Sequence, residues 1–301
     1  MRVEFEELVN DENLCGEGPL WDWRHRRFVW NDLSASLVFD YCPQSRQRRT
    51  ISRGLMVSGI ALCGQEGFVF AGSTGLHLWH GQDDCRTLLS THDGQNLCFN
   101  DIVVDSQGRI YAGTYYWDQT GMLRPGKLYL IDNGGSAHVI DEDVYLSNGL
   151  GLSPDQRTLY FADSGKCRIW AYDVDTASGH LSGKRVFVNI PAEEGLPDGL
   201  TVDDEGFVWC ALWYGGQIVR YDAEGHIERR LHVPVKQVTS VAFGGADLDE
   251  LFVTTAAEPW PNNLVPNYDP ALRELGGALY RTKLEIRGRP EFTAHLPLDD
   301  R

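Results

Sequence analysis

Hydrophobic and polar positions alternate in short runs along most of this 301-residue chain. One pattern recurs: a short apolar run, a polar turn, then an alternating run rich in aromatics and valine. The second runs read RFVWND, GFVFAG, RIYAGT, TLYFAD, GFVWCA and ELFVTT, anchored at Phe28, Phe68, Ile110, Leu159, Val208 and Leu251. Successive anchors lie 40 to 49 residues apart. Turns such as CGQEG, DSQG, SPDQR and DDEG carry hairpin chemistry. A third period-two run follows most anchors, as in SLVFDYC, KLYLIDN and RIWAYDVD. No segment of comparable length has the spacing of an amphipathic helix.

Six such units predict an all-β fold, a six-bladed β-propeller with a central channel. A large β-sandwich has similar hairpins but seldom so regular a period. No linker or low-complexity stretch interrupts the array, so residues 1–301 are expected to form a single propeller domain.

The polar exceptions to the pattern fall in register. Ten or eleven residues before the anchors stand Glu17, Ser58, Asn100, Asn148, Asp198 and Ser240, each opening an apolar strand. In a propeller the first strand of each blade lines the channel, so these six oxygen-bearing side chains should ring its axis. A single Asn or Asp there could simply cap a strand or bond a loop. Two carboxylates on one axis, with two amides between them, instead call for a cation or a proton. A divalent cation in the channel is therefore expected, with Ca2+, Zn2+, Mn2+ and Mg2+ all compatible with such oxygen donors. None of the nine histidines falls in this register, which disfavours a His-rich zinc site.

Charge narrows the partners. A formal net charge of -16 excludes a nucleic-acid backbone or an anionic membrane face as the expected ligand. No apolar run of about 18 residues suggests a membrane span. Seven scattered cysteines without a C-x-x-C pair point to a reducing compartment. With no apolar leader in MRVEFEELVN, a cytoplasmic location is expected. Neither a P-loop, a dinucleotide fingerprint nor a G-x-S-x-G elbow is present.

The motifs GEGPLWD, FNDIVVDSQGRIYAGT, LSNGLGLSPDQRTLYFADS and GLPDGLTVDDEGFVWCALW, in this order over residues 13–257, resemble the family of regucalcin, gluconolactonase and the luciferin-regenerating enzyme. The resemblance implies a six-bladed propeller with one divalent ion in its channel and hydrolysis of sugar-type lactones. It implies Glu17, Asn148 and Asp198 as metal ligands and Asn100 as a residue close to both metal and substrate. Asp118 falls where regucalcin-type members place an acidic substrate contact. Sugar-lactonase members usually read R-x-N-D where this chain reads CFND, so Cys98 stands in place of an arginine.

The expected activity is metal-dependent opening of a small lactone. Asp198 would take the proton of the attacking water. Asn100, Asp118, Cys98, Tyr115 and Trp213 would contact substrate, and Tyr116, Trp117, Tyr214 and Trp260 are further candidates for the walls. Two alternatives share these ligands: a phosphotriesterase-like hydrolase and a non-catalytic, cation-binding regulator. Cysteine is short and a weak donor, so Cys98 removes a cationic fork and is expected to disfavour glucono-1,5-lactone.

Overall fold

In each repeat the second strand is apolar at consecutive positions, which only a sheet covered on both faces can accommodate. The computed structural model, which describes residues 3–81, 84–118, 121–259 and 275–296, shows how this is met. Six four-stranded antiparallel meanders follow one another in a β-propeller. We number them as blades one to six. Their inner strands are Gly16–Asp22, Val57–Cys63, Phe99–Val104, Ser147–Leu152, Leu196–Val202 and Val238–Gly244.

Each blade is packed between two others. In blade one, Phe28 and Trp30 join a cluster with Phe252 and Leu279 of blade six. Val29, from the opposite face of the same strand, joins Ile60 and Phe68 of blade two. Six hydrophobic clusters fill the six blade interfaces in this way. Phe28 stacks on Phe252 with ring centroids 4.3 Å apart. Burial of one such ring contributes about 1.5–3 kcal/mol, so the second strands hold the ring of blades together.

Two segments close the circle. The N-terminal strand Glu6–Asn10 forms the outer edge of blade six, antiparallel to Ala278–Lys283. The C-terminal segment runs across the channel end where the first hairpins of the blades turn. Arg287 O accepts from Asp204 N at 2.9 Å, and Gly288 N donates to Leu248 O at 2.8 Å. Arg289 reaches Leu152 O, Trp23 donates to Glu291 O, and His295 N donates to Gly108 O. Thr293–Ala294 pairs in parallel with the inner strand of blade two. This one segment therefore touches all six blades.

Behind it lies a cavity of about 90 Å³, lined in part by Asp101, Gln156, Arg289 and Glu291. Burial pushes the Glu291 carboxyl up to about 6, against the opposing pull of Arg289. A raised carboxyl binds its proton more tightly in the folded protein. The associated stability is fully present below the unfolded value of about 4.3 and is lost as pH rises through 6. Glu291→Gln is expected to remove this loss. The melting temperature of the variant, measured against wild type by calorimetry, should rise between pH 4.5 and pH 7. A difference that stays constant over that window contradicts a desolvated Glu291.

Candidate metal centre and substrate pocket

Every inner strand carries one extra residue relative to its neighbour near the start of the strand. The register shifts fall between Glu17 and Leu20, Val57 and Gly59, Phe99 and Ile102, Ser147 and Leu150, Pro197 and Leu200, and Val238 and Ser240. A β-bulge re-aims a side chain, and these six lie at the positions of the polar register. Glycine is required within them. Gly18 has φ +56°, and an added Cβ would lie 2.5 Å from Asn31 Nδ2. At Gly199 a Cβ would collide with Ser240 Oγ.

Four of the six polar residues line one cavity of about 130 Å³ at this end of the channel: Glu17, Asn100, Asn148 and Asp198. The other two have different roles. Ser58 donates its hydroxyl toward the carbonyls of Ala71, Phe99 and Asn100, which ties blade two to blade three. Ser240 lines the opposite cavity.

The two amides are oriented by the protein. Asn100 Nδ2 donates to Ser147 O at 2.7 Å, and Asn148 Nδ2 donates to Ser164 Oγ at 3.1 Å. Ser164 Oγ in turn donates to Pro197 O at 2.5 Å. With their nitrogens committed, both amides keep a carbonyl oxygen as their remaining polar group.

The carboxylates are the anomaly. Burial raises Glu17 well above the usual carboxylate range, and the charges of Asp198 and Asp101 push it further. Burial, and then Asp101, raise Asp198 despite a hydrogen bond from Asn148. Asp198 Oδ1 is buried without any hydrogen-bond partner. An orphaned, desolvated anionic oxygen is costly unless a cation or proton satisfies it. Among the described residues, no three His, Cys, Asp or Glu side chains gather to hold an ion alone. The donor set that fits a hard divalent cation is therefore mixed: carboxylates of Glu17 and Asp198 with amide oxygens of Asn148 and Asn100.

A second layer steadies the loops that carry these residues. The carboxylate of Asp32 accepts from Leu14 N at 2.8 Å, Cys15 N at 3.1 Å and Ala35 N at 3.1 Å. In blade four, on the opposite side of the ring, Asp163 accepts from Tyr145 N at 3.1 Å and Leu146 N at 3.0 Å. Each aspartate ends the second strand of its blade and pins the chain just ahead of Glu17 or Asn148. Sequence reasoning passed over both, although each ends its anchor motif, RFVWND or TLYFAD.

The walls are largely apolar. Tyr115, Trp117 and Trp213 line the cavity with Leu14, Leu33 and Leu196. Trp117 donates to Tyr145 O at 2.5 Å and Trp213 to Gln237 Oε1 at 2.9 Å. Cys98 is not part of the wall. Its carbonyl accepts from Tyr115 N at 3.0 Å, and burial pushes its thiol up. Asp118 sits exposed on the strand Trp117–Asp118, which pairs with Gly121–Met122, outside the cavity. Tyr116 donates to Asn96 O and lies beneath the Arg124 guanidinium, 3.6 Å from ring centroid to Cζ. Arg124 is thereby held outside the cavity and does not replace the arginine missing at Cys98. Tyr214 packs edge-on against Trp213 without lining the cavity. Trp260 lies outside the described residues.

The structure thus defines a class: a six-bladed propeller whose channel opens, at the start of its inner strands, onto an acidic and amide-lined pocket. The chain belongs to the SMP-30/Gluconolactonase/LRE-like family, whose model matches residues 15–257. It is 32% identical over 291 residues to Pentonolactonase XacC of Haloferax volcanii, covering 97% of this chain and 98% of that protein. The solved luciferin-regenerating enzyme superimposes with TM-score 0.87 at 26% identity, over 97% of this chain and 99% of that one. A calcium-binding protein, regucalcin, from Agrobacterium tumefaciens gives TM-score 0.86 at 26% identity, over 97% and 98% of the two chains. No helix among the described residues is long and apolar enough to cross a membrane.

The pinning role of Asp32 is directly measurable. Asp32→Ala leaves three backbone N–H groups without their acceptor, and a stability loss of about 2–3 kcal/mol is expected. Urea unfolding provides the test. A loss below about 0.5 kcal/mol, the range of an unremarkable surface substitution, means that the loop does not depend on this carboxylate.

Proposed function

We propose that this chain is a divalent-metal-dependent lactonase acting on a small-molecule lactone. The observation that carries the reading is the buried, unpartnered Asp198 Oδ1 beside Glu17, at the floor of a pocket walled by aromatic rings. Carboxylates in that state need a cation, and a cation at the end of an apolar pocket is suited to an ester carbonyl. The names of a pentonolactonase and a calcium-binding regucalcin among similar proteins support the activity and the cation respectively.

Glu17, Asn148 and Asp198 would hold the ion, with the Asn100 oxygen facing it. Bound there, a divalent ion polarises an ester carbonyl, stabilises the developing oxyanion and acidifies water. The protein supplies the rest. Tyr115, Trp117 and Trp213 present flat walls that orient the lactone ring and exclude bulk water. Asp198, on the bulge of its strand, takes the proton of the attacking water and returns it to the departing ring oxygen. Water adds to the carbonyl carbon and the C–O ring bond breaks, giving a hydroxy acid.

The test is a panel of lactones and one phosphotriester, assayed before and after chelation and again with each divalent ion restored. Lactone hydrolysis is expected to disappear with chelator and return with metal. In the same panel Asp198→Asn, which keeps shape and removes charge, should lower kcat/KM by about 10²–10⁴-fold. Full lactonase activity in metal-free protein, or an Asp198→Asn rate within tenfold of wild type, defeats this mechanism. Phosphotriester turnover without lactone turnover favours the alternative hydrolase. Metal binding with no turnover favours a regulatory, cation-binding propeller.

A further inference from the structure

Glu258 enters the pocket from a different direction than the residues of the channel register. It follows the second strand of blade six and lines the cavity at its exposed mouth. Its backbone is fixed on both sides. Glu258 N donates to Leu14 O at 2.9 Å, and Glu258 O accepts from Gln237 Nε2 at 2.9 Å. Gln237 is buried, and its other contacts are Ala256 O and the Trp213 indole. The Glu258 carboxylate is thus carried on a rigid rim and makes no salt bridge among the described residues.

The polarity around it is one-sided. Among the described residues, the cavity lining contains no lysine, arginine or histidine. Most of the donors it does contain are spent on the protein itself. Trp117 and Trp213 donate to Tyr145 O and Gln237, and Thr239 Oγ1 donates to Gly16 O. Ser164 donates to Pro197 O. What remains for a ligand is apolar surface, acceptor oxygens and, at the mouth, one fixed negative charge.

We propose that Glu258 is a specificity-determining residue that sets the charge selectivity of the site. The inference rests on the lactonase reading above. Neutral lactones donate a ring-substituent hydroxyl to Glu258. Lactones bearing a carboxylate or phosphate meet an acceptor where they need a donor, and a like charge with no Lys, Arg or His among the described wall residues to offset it.

A matched pair isolates the effect. Glucono-1,4-lactone and glucaro-1,4-lactone differ by a terminal hydroxymethyl against a carboxylate. With metal-loaded protein, wild type should favour the neutral lactone in kcat/KM by tenfold or more. Glu258→Gln should lower kcat/KM for the neutral lactone and raise it for the anionic one, narrowing the ratio about fivefold, mainly through KM. Glu258→Lys should narrow it further. The wild-type ratio should shrink in 1 M salt, where charges at an exposed rim are screened within about 3 Å. Glu224→Gln, on a distant outer turn, should leave the ratio unchanged. Equal use of both lactones by wild type, or a ratio unmoved by Glu258→Gln, overturns the proposal. If neither lactone is turned over and the wider lactone panel also shows no turnover, the lactonase reading falls by itself. Calorimetric binding of the same two lactones then decides the selectivity. Preferential binding of the neutral lactone that weakens in Glu258→Gln supports the proposal, and any other pattern overturns it.

Discussion

The constraint on which the site depends is the desolvation of like charges. Glu17, half-buried, and Asp198, buried, stand together at one end of the channel, and the Asp101 charge acts on both. Burial, with a smaller push from the Glu291 charge, raises Asp101 to about 7 against backbone hydrogen bonds from Ile102 and Leu150. No protein cation among the described residues lines that cavity. A fold does not retain such an arrangement for stability, because removing buried charges is often neutral or stabilising. The arrangement makes physical sense when a positive charge from outside completes it.

The propeller makes that concentration possible. Six inner strands converge on one axis, each with a bulge near its start, and in blades one, three, four and five the bulge carries a polar residue of the one cavity. The hydrophobic clusters between blades are continuous around the ring, so the strain of a polar centre is carried by six apolar interfaces. Blades one and four, facing each other, use the same device outside the bulge: an aspartate at the end of the second strand, Asp32 or Asp163, holding the preceding loop by its backbone N–H groups. The charged floor is thus anchored by further carboxylates that are themselves satisfied.

Much of this was legible in the sequence because it is periodic. Blades covered on both faces impose consecutive apolar residues on each second strand, and six repetitions give the six-bladed propeller. The channel register followed by counting back from those anchors, and it placed Glu17, Asn100, Asn148 and Asp198 on one cavity. Counting could not separate Ser58 and Ser240 from them, since the same register position faces a neighbouring strand in blade two and the opposite cavity in blade six. Cys98 and Asp118 were expected at the substrate by motif position. The structure places neither Cys98 nor Asp118 on the cavity wall: Cys98 precedes the inner strand of blade three, and Asp118 is exposed on the strand that pairs with Gly121–Met122. Contacts distant in sequence left no local signal. The pairing of Glu6 with Arg281, the course of residues 287–296 and the rim position of Glu258 belong to this group.

The two ends of the channel are built on opposite principles, and the difference gives the molecule a direction. At the hairpin end one irregular segment bonds to every blade, so the axis is closed by backbone hydrogen bonds that a ligand cannot easily replace. At the other end the wall consists of aromatic side chains whose polar atoms point into the protein and whose faces point into the cavity. Among the described residues, the cavity that reaches these carboxylates is lined by Glu258, Tyr115, Trp117 and Trp213. A divalent ion held at the floor would offset the charges of Glu17 and Asp198, so an ester entering by the mouth would meet a cation at the closed end and one carboxylate, Glu258, at the rim.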